Sequence, residues 1–243
     1  MTKNRPLNSW DMAKIVALLL MFVDHAGAYF LLDEQWLRAI GRGAAPVFLF
    51  LAGYAASYRF NWELLVLACL IVAPDIAMGE FPHTLNILFT ILLVRAVLNG
   101  LEKRGKIIEK PWEWFVACAI FIAPTCFLLQ YGTLGLMFAA SGYMQRRPAL
   151  YNQRTRTWFL LGTFAAYAVT FEFFFGLTPL NFLLMLPVLA FDYRLLTRLD
   201  IRAVDTHRMP RWLVRALTLA SHYSAYVYAL HLIVIAGVTR LPI

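Results

Sequence analysis

Residues 15–32 read IVALLLMFVDHAGAYFLL, an apolar run that is interrupted near its middle by Asp24 and His25. Side chains of this kind are costly at bilayer depth unless they are paired or face a wet cavity. The sequence therefore predicts a membrane-spanning helix whose Asp-His pair faces the interior of a helix bundle. A functional site is the most direct reason for such a pair to be there.

The composition of the chain favours the same environment. Of the 243 residues, 61% are hydrophobic and 15% are charged, and the mean hydropathy is +0.64. A soluble domain has about 45–50% apolar and 25% charged residues. The sequence thus predicts an all-α fold in a single integral-membrane domain, residues 1–243. This domain is expected to be a polytopic transmembrane bundle of about nine helices with a cytoplasmic N-terminus.

The predicted spans follow from the apolar segments between short polar stretches, and the sixth is the weakest of them. They are Met12–Leu32, Gly43–Tyr58, Asn61–Met78, Leu85–Leu98, Trp112–Leu129, Thr133–Met144, Trp158–Phe175, Pro179–Tyr193 and Leu217–Val238.

The charge distribution supports this layout. If the nine helices alternate from a cytoplasmic N-terminus, 19 of the 22 Lys and Arg residues fall on the cytoplasmic side, as the positive-inside rule requires. The N-terminus also resembles a cleavable signal peptide, but its removal would destroy this asymmetry, so we expect the first helix to be retained. The net charge of +8 is spread over short loops, which argues against nucleic-acid binding.

The cysteines do not suggest a metal site. Cys69, Cys118 and Cys126 all lie in apolar segments and lack the spacing of metal ligands. We interpret them as small buried side chains and predict no bound metal.

Two histidines are predicted at the same depth in the bundle. With a rise of about 1.5 Å per residue, His25 lies about 20 Å from Met12, and His231 lies about 21 Å from Leu217. Both helices are predicted to run outward, so the two imidazoles should meet in the outer half of the membrane. Imidazole is suited to general-base chemistry because its pKa lies near neutrality.

Arg42 and Asn86 are predicted near the same level, since each begins a segment that runs inward from the outer face. Asp24 is rotated by about 100° from His25 along the helix, so we expect it to pair with Arg42 or with a donor on another helix. The glycines of GRGAAP, residues 41–46, indicate a close backbone approach between helices or to a substrate.

Each of these residues also has a purely structural explanation. His231, and less readily the Asp-His pair, would then only bridge helices. Arg42 would be an interfacial anchor whose charge reaches water, and Asn86 would cap a helix. Glu172 and Asp192 lie near predicted helix ends, and we interpret both as solvated.

Five stretches in the same order resemble the TraX family of F-type pilin acetylases. They are MAKIVALLLMFVDHAGAYF (12–30), LRAIGRGAAPVFLFLAG (37–53), NILFTILL (86–93), YGTLGLM (131–137) and YALHLIVI (228–235). The resemblance covers the first hundred residues, the last helix and a local stretch between them. Between residues 145 and 215 only the hydropathy is similar.

The resemblance implies a multi-pass acetyltransferase of the bacterial inner membrane, acting in conjugation. Acetyl-CoA is the implied donor, and the N-terminal amine of a pilin subunit is the implied acceptor. In this hypothesis His25 deprotonates the acceptor while Arg42 and Asn86 stabilise the oxyanion. His231 orients the acceptor or acts as a second acid-base group, and Asp24 fixes the site electrostatically.

Three other functions stay open at this point. A wider similarity to membrane acyltransferases that modify envelope sugars suggests a glycan hydroxyl as the acceptor. A small transporter or channel would use the same polar cluster to line a path. An assembly chaperone would hold a pilin-like helix without modifying it.

Overall fold

The computed structural model describes residues 6–32, 34–77, 79, 84–105, 107–175 and 178–239, without the side chains of residues 172–175 and 239. Within these ranges the chain forms helices and two isolated β-bridges, so the predicted all-α fold is confirmed there. The helices are α1 (Ser9–Tyr29), α2 (Gln35–Gly41), α3 (Ala44–Tyr54), α4 (Trp62–Ala77), α5 (Ile87–Lys103), α6 (Pro111–Ile120), α7 (Ile122–Cys126), α8 (Gly132–Gln145), α9 (Gln153–Phe175), α10 (Pro179–Thr197), α11 (Arg211–His222) and α12 (Ser224–Thr239).

Helix α1 begins at a capping box. The Asn8 side chain accepts a hydrogen bond of 2.9 Å from the backbone N–H of Asp11, and the Asp11 carboxylate accepts one of 3.2 Å from the backbone N–H of Asn8. This arrangement satisfies two N–H groups that a helix start would leave without partners. From there α1 continues for 21 residues, which is about 32 Å and enough to cross the hydrocarbon core.

The structure contains helices that are candidates for membrane spans. Among the described residues, α1 and α10 are each long and apolar enough to cross a membrane, and α11 with α12 forms a third candidate bent by 81°. The protein is therefore helical with two or three candidate spans, judged by length and composition.

Two predicted spans are divided in the structure. The segment 112–129 breaks at Phe121 into α6 and α7. In a continuous helix the ring of Pro124 would clash with the carbonyl oxygen of Ile120, four residues earlier. The prediction of one continuous helix over 217–238 is also wrong, since the chain turns at Tyr223.

The turn at Tyr223 has a physical cause in α11. This helix is strongly amphipathic, and its Arg211 and Arg215 side chains are exposed. It thus has one polar and one apolar face, whereas α12 is apolar on all sides. The end of α11 is fixed to α1, because Ser221 Oγ donates a 2.7 Å hydrogen bond to Asp11 and Lys14 Nζ donates to the Ser221 carbonyl at 3.2 Å.

Helices α3 and α8 form the closest helix pair of the core. A Cβ atom on Gly53 would lie 1.8 Å from the carbonyl oxygen of Ala139, and one on Gly142 would lie 2.1 Å from the carbonyl oxygen of Phe50. Small residues allow membrane helices to approach backbone to backbone in this way. The pair gives a rigid wall against which α1 and α5 also pack.

Candidate active site

His25 and His231 form a hydrogen-bonded pair between α1 and α12. Nδ1 of His25 lies 2.5 Å from Nε2 of His231. The two rings are nearly parallel, with centroids 4.8 Å apart and an interplanar angle of 24°. Both side chains are partly buried, so the predicted meeting of the two imidazoles is observed.

The hydrogen bonds of the pair define its tautomers. His231 Nδ1 lies 3.1 Å from the carbonyl oxygen of Val227, which can only accept, so this nitrogen carries the proton. In a neutral ring Nε2 of His231 is then an acceptor, and Nδ1 of His25 donates to it. The remaining nitrogen, Nε2 of His25, is left unprotonated and has the lone pair that a general base or nucleophile needs.

Aromatic rings surround the histidine pair. Tyr228 is buried and lies against both histidines, with ring centroids 5.6 Å from His231 and 6.3 Å from His25. Phe22 packs edge-on against His231 at 5.1 Å, and Tyr29 lies 6.0 Å from His25. These rings restrict the orientation of both imidazoles and limit the access of water.

Asp24 and Arg42 form a second, more deeply buried pair. Arg42 Nη1 lies 3.5 Å from Asp24 Oδ2, and the two side chains are 9% and 13% exposed. The predicted pairing of these residues is thus observed. The guanidinium also lies over the ring of Phe171, 4.9 Å from its centroid, and the Arg42 carbonyl accepts a 2.8 Å hydrogen bond from the Tyr167 hydroxyl. Neighbouring residues therefore fix both the guanidinium and the backbone of Arg42.

The close approach of α1 and α2 depends on Gly41. A Cβ atom there would lie 2.4 Å from the backbone of Asp24, so no larger residue fits without separating the helices. Gly43 similarly faces Asp192, whose Oδ2 lies 2.6 Å from the position of an added Cβ. The backbone approach that the GRGAAP motif indicates is therefore observed at Gly41, whereas Gly43 makes room for side chains of α1 and α10.

Tyr131 belongs to this site, although the sequence reasoning missed it. Its ring stacks on that of Tyr167 at 6.2 Å and lies 6.0 Å from that of Phe171, and both of these residues contact Arg42. Its backbone has φ = 70°, the only positive φ at a non-glycine residue in the described part of the chain. Such strain is concentrated at functional sites. The Tyr-Gly dipeptide before α8 was the available signal.

Asn86 caps α5, which confirms the structural explanation for this residue. Its side-chain oxygen accepts a 3.1 Å hydrogen bond from the backbone N–H of Leu88, and its amide group donates a 2.9 Å bond to the carbonyl of Ala68. Asn86 therefore joins the start of α5 to α4, and both ends of its amide are engaged in that contact.

The interpretation of Asp192 as solvated is wrong. Its side chain is 0% exposed, and neither carboxylate oxygen has a hydrogen-bond partner among the described residues. The physical reason is that α10 continues to Thr197, so Asp192 lies more than a turn inside the helix, which packs against α2 and α3. The side chain of Glu172 lies outside the described residues.

No group of three or more His, Cys, Asp or Glu residues with metal-ligand geometry occurs in the part of the chain that the structure describes. The groups that the structure brings together in this site are the two histidines, the buried Asp24–Arg42 pair and the tyrosines around them.

Comparison with known proteins places the chain in a family. The family model described as TraX protein matches residues 9–239. Protein TraX of Escherichia coli is 29% identical over 148 residues, which cover 55% of this chain and 54% of the relative. Protein TraX of Escherichia coli strain K12 is 31% identical over 139 residues, which cover 54% and 53%. RP591, an uncharacterized protein of Rickettsia prowazekii, is 26% identical over 179 residues, covering 72% and 71%.

The alignments with the two Escherichia coli relatives thus span about half of their length. No solved structure matches the chain. The family match is far longer, since it begins at the first residue of α1 and ends at the last residue of α12. It therefore includes all four residues of the two buried pairs, and the chain belongs to the TraX protein family.

Proposed function

We propose that the protein is a membrane-embedded acetyltransferase that moves an acetyl group from acetyl-CoA to the N-terminal amine of a pilin subunit. The observation that carries this proposal is the hydrogen-bonded chain from Val227 through His231 to His25, which leaves Nε2 of His25 as a free base. Acyl transfer to an amine needs such a base in a site that limits water.

In the proposed reaction, the acceptor nitrogen bonds to the carbonyl carbon of the thioester and gives a proton to Nε2 of His25. The carbon–sulfur bond of the tetrahedral intermediate then breaks, and its electron pair stays on the sulfur. The proton held by His25 passes to this thiolate, so coenzyme A leaves as a thiol. His231 keeps the His25 ring in the required tautomer and shares the transient positive charge.

Arg42 is the group we assign to the oxyanion of the intermediate. A buried guanidinium stabilises developing negative charge more strongly than the same group in water. Asp24 balances the charge of Arg42 between reactions, and their contact of 3.5 Å is long for an ion pair. The ring of Phe171 lies over this guanidinium and helps to orient it.

Asn86 has no part in this scheme, and a pair of variants tests that assignment. We expect Asn86→Ala to destabilise the protein by about 1 kcal/mol through loss of the α5 cap, while acetyl transfer per folded molecule stays within a few-fold of wild type. Asn86→Ser keeps an acceptor for the Leu88 N–H and should recover most of the stability. If Asn86 supplied an oxyanion bond, both variants would lower kcat by about 100-fold or more.

We place the protein in the bacterial inner membrane with its N-terminus in the cytoplasm. The proposal of about nine crossings rests on the 19 Lys and Arg residues that this orientation puts inside. The exposed arginines of α11 then lie at the cytoplasmic interface, where anionic headgroups attract them.

The function is tested by following a labelled acetyl group. Membranes that contain the protein and a candidate pilin are incubated with labelled acetyl-CoA, and the acceptor is identified by mass spectrometry. We expect a blocked pilin N-terminus with the wild type and a free amine with His25→Gln. Label on an envelope glycan would instead support an O-acetyltransferase. Pilin that is bound tightly but stays unmodified would support a chaperone, and solute flux without acetyl-CoA turnover would support a transporter.

A further inference from the structure

A cavity of about 240 Å³ lies between α1, α3, α4, α5 and α12. Its charged or titratable lining residues are Lys14, Glu63, Arg95 near the middle of α5, and His222 at the C-terminal end of α11. Most of the other lining residues are apolar and include buried side chains of α3, α4 and α5. The cavity therefore combines basic groups that can bind an anion with an apolar space.

One side chain connects the cavity with the histidine pair. Tyr228 lines the cavity, and its ring also lies against His25 and His231, at centroid distances of 6.3 and 5.6 Å. Lys14, which lines the same cavity, lies eleven residues before His25 on the same helix, which corresponds to about 16 Å. A narrow, flexible arm that enters beside Lys14 would thus run along α1 and reach the base past Tyr228.

The volume limits what the cavity can hold. Sites for whole drug-sized ligands measure about 300–1,000 Å³, so a cavity of about 240 Å³ is too small for a nucleotide with its attached chain. It is suitable for the unbranched amide-and-thioester arm of an acyl carrier, with the nucleotide left outside. Arg95 donates at 2.8 and 3.2 Å to the carbonyl of Arg59, a neutral acceptor, so this contact leaves its positive charge available to phosphate.

We propose that this cavity is the donor site, which receives the thioester-bearing arm of the acyl carrier while the carrier's phosphates bind at Lys14 and Arg95. This inference rests on the proposed acetyltransferase function and adds the side from which the donor enters. Donor and acceptor then approach His25 from different directions, the donor along α1 from its N-terminal end.

Binding of coenzyme A itself tests the site without any turnover. The full-length protein in detergent is titrated with coenzyme A, and the same titration is made with Ala52→Trp, which fills the cavity from its α3 wall. We expect the affinity for coenzyme A to fall about tenfold or more, because the indole would occupy the space that the ligand needs. Ala165→Trp is the matched control, because Ala165 is exposed on α9 and does not line the cavity; it should bind within about twofold of wild type.

Arg95→Gln gives a second readout that does not depend on filling the interior. Its coenzyme A affinity should fall and should depend less on salt than that of the wild type. Arg156→Gln is the discriminating variant, since Arg156 lines a separate polar cavity of about 280 Å³ between α8, α9 and α10. Weaker binding by Arg156→Gln with no change for Arg95→Gln would overturn the proposal and place the phosphates there.

The two proposals can fail separately. If the wild type and Ala52→Trp acetylate pilin with the same dependence on acetyl-CoA concentration, the proposed donor cavity is wrong and the proposed enzyme activity stands. If the wild type binds coenzyme A but transfers no acetyl group, and Ala52→Trp abolishes this binding, the proposed activity is wrong and the proposed cavity stands. A wild type that does not bind coenzyme A would contradict both.

Discussion

His25→Gln is expected to lower the rate of acetyl transfer by about 100- to 10,000-fold, the range that a positioned general base contributes. Glutamine still offers an N–H to Nε2 of His231, so the contact between α1 and α12 is kept. It has no basic nitrogen in place of Nε2, and the proton of the acceptor amine then has nowhere to go. The measurement is acetyl transfer by the purified variant in detergent, with coenzyme A binding recorded as a check on the fold.

His207→Gln is the matched control for this experiment. His207 lies in the exposed loop between α10 and α11, so its loss should leave the rate unchanged. His231→Ala should give a smaller loss than His25→Gln, because it removes the acceptor that fixes the His25 tautomer but leaves the base itself. Activity of His25→Gln within a few-fold of wild type would remove His25 from the chemistry.

The buried pair Asp24–Arg42 could be predicted from the sequence because it depends on local geometry. Neighbouring residues on a helix point about 100° apart, so Asp24 cannot share the partner of His25 and faces the turn that follows α2. The small residues of GRGAAP allow that turn to come close, and the position of Arg42 follows. These steps need only helix geometry and the cost of a buried charge.

The meeting of His25 and His231 was predicted for a reason that the structure does not support. The argument from equal depth assumes one straight helix from Leu217, whereas α12 begins at Ser224 after a bend of 81°. His231 is therefore only about 10 Å from the start of its helix. The two rings meet because α12 packs against α1 beside Phe22, a tertiary contact that has no signature in the hydropathy.

Tyr131 and Asp192 show what a sequence pattern cannot supply. The left-handed backbone of Tyr131 is fixed by the turn into α8, where Gly132 is so close to Thr125 that a Cβ atom would overlap its hydroxyl. Asp192 was assigned to a helix end because the predicted span ended at Tyr193, but α10 continues past Arg194, whose side chain is exposed. A long arginine can reach the interface from inside a helix, which hides the true end of the span.

Gly53→Ala is expected to prevent folding or to destabilise the protein by about 3 kcal/mol or more, at the upper end of the cost of overpacking. The added methyl group would lie 1.8 Å from the carbonyl oxygen of Ala139. That oxygen belongs to the backbone of α8 and cannot move as a side chain does, so α3 and α8 would have to separate. The same separation would displace Arg42, which lies two residues before α3, and Tyr131, which directly precedes α8. The yield of monodisperse protein and its thermal unfolding in detergent measure the effect.

Gly100→Ala is the control that makes this result specific. Gly100 lies within α5, and a Cβ atom there would meet nothing within 4 Å. Because alanine is the better helix former, this variant should gain about 0.5–1 kcal/mol or stay unchanged. Equal stability of the two variants would show that α3 and α8 are not in backbone contact in the membrane protein. Another helix pair would then have to hold Arg42 and Tyr131 in their positions.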